Sequence, residues 1–395
     1  MDTETLKLPK LPVLGWAAFT GKSSAPIACF MDSPDAEFTS SGHAAIALAL
    51  KSLGIGPGSK VLVPTYHCPT MIAPVVACGA EPVFYAIDQN GSPQLQAVAS
   101  AAQECQAMLV AHFYGVPQVL AGIRACCDRN DMALIEDCAH ALFGSDGEGV
   151  IGSTGDYAIA SLTKFLPTND GGAIRFPQGG RRPPLKERPL RDSVKVAANA
   201  IEIGSQFSRL EGLNGTLRGA FALMDTLRGK RLSTPFDSTS SMHGAGARRD
   251  WLSEYAPDCV TWKQETFWAR WTTRHVKRDR IVSNRRRNYA LLRDSLADLP
   301  GAHPLWPDLP EHCAPYVFPL WVDAPDSTYK RVRAKGIPVF RWDEIWPSTP
   351  ALDGDVGLQW ATHVFQLGCH QDLEPEDISS MTRELHAIFG GSAGS

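Results

Sequence analysis

Between residues 41 and 176, short apolar runs alternate with helical patterns, and this alternation limits the possible folds more than any other feature of the chain. The runs are Lys60 to Pro64, Pro82 to Ile87, Ala107 to His112, Ala133 to Glu136 and Asp156 to Leu162. Between them, helices are expected at about 43–53, 69–78, 93–104 and 118–129. Strands of this length joined by helical crossovers predict an α/β domain with a largely parallel sheet. Ligands of such sheets lie beyond the carboxyl ends of the strands. Thr65, Tyr66, His67, His112, Asp137 and Ser161 all fall there.

Three segments at those ends carry chemistry. The stretch from Ser161 to Gly172 places Lys164 between an apolar run and a Gly-Gly turn, where an amine is delivered into a site rather than onto an open surface. Such a lysine attacks an aldehyde only when unprotonated, which neighbouring cations or partial burial favour; a solvated loop lysine is the alternative reading. Upstream, the apolar run Ala133-Leu-Ile ends in Glu136 and Asp137, and further back Ser41-Gly42-His43 opens an Ala/Leu-rich helix. The first amides of a helix are free to hold a phosphate. A phosphate cradle, a strand-end aspartate and a lysine, in that order, describe a pyridoxal phosphate site. Lys164 would form the internal aldimine and Asp137 would keep the ring nitrogen protonated. Asp137 has an alternative use as a helix N-cap before Cys138.

At these residues the chain resembles the DegT/DnrJ/EryC1/StrS aminotransferases, a branch of the fold type I pyridoxal phosphate enzymes. The matching pieces are Ser41-Gly-His-Ala-Ala, Val61-Leu-Val-Pro-Thr-Tyr-His67, Gly79-Ala-Glu-Pro-Val-Phe, His112-Phe-Tyr-Gly115, Glu136-Asp-Cys-Ala-His140, and Lys164 followed by Asp170-Gly-Gly. They cover residues 36–176 closely and the segment from about 281 onward more loosely. The resemblance implies a fold type I, aspartate aminotransferase-like architecture: a mainly parallel sheet sandwiched by helices, with a smaller α+β C-terminal domain. The expected organisation is an N-terminal arm at 1–35, a large cofactor domain at 36–280 and a small domain at 281–395.

The resemblance also assigns roles. Gly42 and His43 would bind the cofactor phosphate through their amides and Ser161 through its hydroxyl. His140 stands where relatives place a residue near the pyridine oxygen, or is a satisfied structural histidine. Of Tyr66, His67 and Cys68, His67 is the expected stacker on the ring face. Asn214, in Gly212-Leu-Asn214, would reach the phosphate of a neighbouring subunit in a homodimer, or is a plain loop asparagine. The implied reaction moves an amino group from an amino-acid donor to a keto-sugar or another biosynthetic ketone or aldehyde. Elimination or decarboxylation on the same scaffold is the alternative, and a non-catalytic cofactor-binding regulator is a third. Lys164 counts against the sugar dehydratases that resemble this family, which carry histidine at the lysine position.

Two features depart from the family's pattern. Ser161 and Lys164 have two residues between them where sugar-modifying relatives usually have four. Residues 229–272, rich in Ser, Thr and Trp, do not resemble the family and read as an insertion able to form a lid or widen a dimer contact. Nine Lys or Arg against two acids between Lys263 and Arg287 read either as a solvated helix face or as an anion-binding rim for a phosphorylated or carrier-bound acceptor.

Composition excludes little else. The net charge of −4 favours no nucleic acid, and no run approaches the ~20 apolar residues of a membrane span. The acidic start, Met1-Asp-Thr-Glu, lacks the form of a secretory signal. Ten cysteines without zinc-type spacing fit reduced thiols in a cytoplasmic protein that binds no metal.

Overall fold

The computed structural model describes residues 5–20, 27–147, 149–227, 251–255 and 262–390. Its strands are β1 (Ala36–Thr39), β2 (Lys60–Pro64), β3 (Glu81–Tyr85), β4 (Ala107–Ala111), β5 (Ala133–Asp137), β6 (Tyr157–Ser161), β7 (Gly172–Arg175), β8 (Ala302–Pro304), β9 (Val317–Val322), β10 (Val339–Phe340) and β11 (Val364–Gly368). Its helices are α1 (Gly42–Ser52), α2 (Pro69–Ala77), α3 (Leu95–Ala101), α4 (Ala121–Arg129), α5 (Leu190–Gln206), α6 (Asn214–Leu227), α7 (Trp251–Tyr255), α8 (Phe267–His275), α9 (Arg278–Leu296), α10 (Pro325–Ala334), α11 (Gly357–His363) and α12 (Pro375–Gly390).

The large sheet runs β1-β7-β6-β5-β4-β2-β3. Its neighbours from β6 through β3 pair in parallel, while β7 is antiparallel to both β6 and β1. After β3 at the sheet edge, the chain returns to β4 on the other side of β2. The ends of β2, β4, β5 and β6 therefore converge on one crevice, as parallel sheets with such a reversal provide. Every residue of β4 is buried, as expected of a strand covered by helices on both faces.

Helix α1 packs beneath this crevice, and its sequence sets both ends. Ser41 caps it by accepting a hydrogen bond from the Ala44 amide at 3.2 Å. At the far end Gly54 adopts φ +74°, and the amides of Ile55 and Gly54 bond the carbonyls of Leu50 and Lys51. This closing pair satisfies carbonyls that the helix leaves free, and a side chain at Gly54 would be strained. Residues 44–50 are all buried, so α1 is a core helix whose first turn is fixed against the sheet.

The second sheet, β10-β11-β9-β8, is antiparallel. Tyr289, Leu292 and Leu296 of α9 and Ile378, Met381 and Leu385 of α12 share one apolar core with Phe318, Leu320 and Phe365 of its strands. Ahead of β1, the N-terminal segment lies along this unit: Leu6 N bonds Lys335 O at 2.9 Å, His370 Nε2 bonds Pro9 O at 3.0 Å, and Val13 N bonds Asp372 at 3.1 Å.

The segment expected to be an insertion lies partly outside the described residues, at 229–250 and 256–261. Its described part belongs to the large unit. Lys186 N bonds Trp262 O at 2.8 Å, Ser40 N bonds Lys263 O at 2.9 Å, and Thr266 N bonds Asp170 Oδ2 at 2.9 Å. Trp268 and Trp271 stack on one another at 5.5 Å, and Trp271 meets Phe19 and His275 rather than the crevice.

Six of the nine cations in the basic stretch have partners within the protein, while Arg274 is exposed. Arg285 is fully buried. Arg270 pairs with Glu265, Arg278 with Asp32 and Arg280 with Asp372. Arg286 donates to the Pro310 and Cys313 carbonyls and Arg287 to that of Leu373. Sequence counts charges without their partners, and here the partners are distant in the chain.

Candidate active site

Lys164 ends a single 3-10 turn, Leu162–Lys164, directly after β6. Its Nζ lies over the Tyr316 ring, 5.3 Å from the centroid, and 6.0 Å from that of Trp342. Lys164, Asp137, His140, Cys68, Met71 and Trp342 line one cavity together with residues 111–113. The cavity is narrow, about 20 Å³, room for roughly one water, because the Trp342 indole also lies 4.9 Å from the His140 ring. A larger cavity of about 330 Å³, between Lys51, Pro74 and Trp262, contains none of the expected residues.

Asp137, the last residue of β5, accepts from the Ala139 amide at 2.9 Å through Oδ1. Burial raises its carboxyl above the ordinary range, opposed by the nearby Lys164 charge and the Ala139 N–H. No helix follows directly on Asp137, so it is not an N-cap: its Oδ1 closes a two-residue turn, and the residue lines the cavity.

His140 is 4% exposed and stacks on Tyr316 at 4.3 Å. Burial, with Lys164 adding to it, holds its pKa well below the usual value, so the ring is neutral. The Tyr114 amide donates to Nδ1 at 3.4 Å, which leaves the proton on Nε2. Nε2 is buried and has no hydrogen-bond partner among the described residues. A buried donor without an acceptor is costly, so it marks a place where an acceptor belongs.

Behind Asp137, His112 Nδ1 accepts from the Gln118 amide at 3.0 Å and Nε2 donates to Glu136 at 2.9 Å. Glu136 also accepts the Gly152 and Gly155 amides. Burial would raise its carboxyl, but these partners hold it below the ordinary range. His112, Glu136 and Cys138 are close enough to resemble a metal set, yet the first two spend their polar atoms on these partners.

The expected phosphate end is built by close backbone approach. A Cβ on Gly42 would come within 3.0 Å of the Ser161 Cβ, and one on Gly172 would collide with the Ser41 carbonyl. Glycine at both positions lets the α1 N-terminus, β7 and Ser161 meet. The Ser161 hydroxyl lies 3.3 Å from that of Thr163. His43, in the first turn of α1, has its amide at the same helix start. Asn214 caps its own turn, accepting from the Leu210 amide at 3.0 Å, at the start of α6.

His67 is not brought to the site. Its ring is fully buried, Nδ1 lies 2.9 Å from Pro64 O, and Nε2 accepts from the Trp346 amide at 3.0 Å. It packs on Phe84 instead. The neighbouring Cys68 lines the cavity, while Tyr66 stands behind Trp342 at 5.1 Å, its hydroxyl bonded to that of Tyr114 at 2.6 Å. The two aromatic walls nearest Nζ, Tyr316 and Trp342, come from the second unit and carry no local motif.

Residues 25–180 match the model of the DegT/DnrJ/EryC1/StrS aminotransferase family. The chain is 38% identical over 136 residues to UDP-N-acetyl-3-dehydro-α-D-glucosamine 3-aminotransferase of Acidithiobacillus ferrooxidans, covering 34% of this chain and 36% of that one. It is 30% identical over 168 residues to GDP-perosamine synthase of Vibrio cholerae, covering 40% and 46%. These alignments span between about a third and a half of the relatives' lengths. The fold matches an aminotransferase from Psychrobacter cryohalolentis over 92% of this chain and 89% of that one, with a TM-score of 0.64 and 18% identity. The crevice-forming segment, residues 25–180, is thus similar to the DegT/DnrJ/EryC1/StrS aminotransferase family.

Proposed function

We propose that the chain is a pyridoxal phosphate-dependent aminotransferase that moves an amino group from an amino-acid donor to a keto-sugar or similar biosynthetic carbonyl compound. The observation that carries this is the meeting of Lys164, Asp137 and the partnerless Nε2–H of His140 in one cavity. The residues fit the cofactor chemically: an amine for its aldehyde, a carboxylate for its ring nitrogen, a neutral donor for its ring oxygen, and a glycine-lined helix start for its phosphate.

When bound, pyridoxal phosphate supplies an electron-withdrawing ring that stabilises negative charge at the substrate Cα. Asp137 keeps the proton on the ring nitrogen, which strengthens that withdrawal. His140 would hold the ring oxygen through Nε2–H. Lys164 Nζ would hold the group through its aldehyde and would serve as the base that takes the substrate Cα proton and the acid that gives it back. Tyr316 and Trp342 exclude water from that transfer. The amides of Gly42 and His43 and the Ser161 hydroxyl hold the phosphate.

The same reading includes a homodimer. Leu190 and Val194 on α5 and Leu223 and Met224 on α6, the helix that Asn214 opens, are exposed apolar side chains, and twofold symmetry is the commonest way for soluble oligomers to cover such surface. The names of the curated relatives, which concern amino sugars, support a keto-sugar acceptor. An absorbance titration with an amino-acid donor alone tests the reaction type. Conversion of the bound cofactor from its aldehyde to its amine form is expected, and a holoprotein unresponsive to every common donor contradicts transamination.

A further inference from the structure

We propose that Arg285 is a positioning residue for Lys164, holding the lysine's main chain and the Tyr316 wall in register from behind the cavity. The proposal rests on Lys164 being the cofactor lysine. Arg285 lies in α9 and is 0% exposed. Its guanidinium donates to four neutral acceptors: Lys164 O at 2.7 Å, Pro315 O at 2.9 Å, Tyr316 O at 3.0 Å and Gln371 Oε1 at 2.8 Å. Its face covers the Phe165 ring at 4.2 Å. Gln371 completes the contact by donating to Phe165 O at 2.8 Å.

This arrangement is costly for packing alone. Burial pushes the Arg285 pKa down to about 10, which still leaves it charged at neutral pH, and it forms no ion pair among the described residues. A buried cation without a carboxylate serves stability less well than an aliphatic side chain of similar volume. What the planar guanidinium supplies is fixed direction: its donors point along set axes toward several acceptors at once.

The acceptors belong to three separated segments, the turn after β6, the entry to β9 and the residues after β11. The first carries Lys164, and the second carries the ring beneath Nζ and against His140. The lysine's own turn is minimal, with Phe165 N and Leu166 N both bonding Leu162 O. One such turn does not persist without outside anchors. Arg285 is that anchor, and it couples the lysine's position to the seating of the second unit on the first.

Arg285→Lys keeps the charge and removes the fork. In the cofactor-free protein, amide hydrogen exchange at Phe165 and Leu166 should speed about tenfold, the effect of losing one or two hydrogen bonds, while β4 amides stay protected. With pyridoxal phosphate at fixed concentration, the fraction joined covalently to Lys164, read by visible absorbance and borohydride trapping, should fall about tenfold. Total bound cofactor should change less than about threefold, because the phosphate end is untouched. A merely structural role would lower Tm and leave that covalent fraction alone. Wild-type exchange and wild-type trapping in folded Arg285→Lys overturn the proposal. Should that variant not fold, Gln371→Leu, which removes one acceptor and the Phe165 tether, is expected to shift both readouts about threefold in the same directions, and wild-type values there overturn it equally. If the wild-type protein takes up no pyridoxal phosphate, the cofactor reading has failed, and the exchange measurement alone judges the anchor.

Discussion

The imidazole of His140 stacks on the ring of Tyr316, with 4.3 Å between centroids; the residue lines the cavity that Lys164 shares, and its protonated Nε2 has no partner among the described residues. The nitrogen that accepts from Tyr114 and the one that donates are therefore distinct. His140→Leu should slow the donor half-reaction by about 10- to 100-fold in single-turnover absorbance measurements, and His140→Gln should recover part of that loss by restoring an N–H. Equal rates for both variants and wild type would show that His140 is only a packing residue.

Asp137 gives a larger effect by a different route. Asp137→Ala should still take up the cofactor through its phosphate contacts but slow Cα proton removal by about three orders of magnitude or more, since the ring nitrogen loses its counter-charge. Near-normal half-reaction rates in a folded Asp137→Ala protein would remove Asp137 from the mechanism.

Burial pushes the His67 pKa from 6.5 to about 4. A base whose folded pKa is depressed contributes stability that is fully present above the unfolded value and is lost as pH falls through the folded one. The protein should therefore lose on the order of 2–3 kcal/mol from this group between pH 6.5 and 4, and His67→Asn should flatten that part of the denaturation profile. Cofactor affinity at neutral pH should stay within about threefold of wild type, because His67 does not line the cavity. Loss of the cofactor from a folded His67→Asn protein would restore it as the stacking residue.

Trp342 closes the cavity over Lys164 and His140, and its side chain is only half-buried. The pyridine ring can enter only if the indole moves, so stopped-flow loading of Trp342→Ala should run about tenfold faster than wild type, with release faster as well. Unchanged association and release rates would mean that the indole does not gate the site.

The succession of strands and helices from β2 to β6 and the placing of Asp137 and Ser161 at strand ends, with Lys164 just beyond, were legible because periodicity and chain-local motifs encode them. β1 and β7 were not: each has four residues, and Gly171-Gly172 reads as a turn until the register of Gly172 against Ser161 and Thr39 is known. His67 and Cys68 are adjacent, so sequence could not say which faces inward; the backbone after β2 turns the imidazole onto Pro64 and the Trp346 amide. The partners of Arg285 are not legible in the sequence. Its acceptors at 164, 315, 316 and 371 lie 30 to 121 residues away, and nothing local signals them. Tyr316 and Trp342 become walls of the site only through the packing of one unit on the other.

All of these roles depend on Lys164 carrying the cofactor. Reconstituting the protein with pyridoxal phosphate, reducing it with borohydride and mapping the labelled peptide by mass spectrometry tests this directly. The label is expected on Lys164, with Lys164→Ala taking up cofactor through its phosphate but retaining none after reduction and denaturation. A stable label on any other lysine, or an undiminished label in Lys164→Ala, would contradict the account.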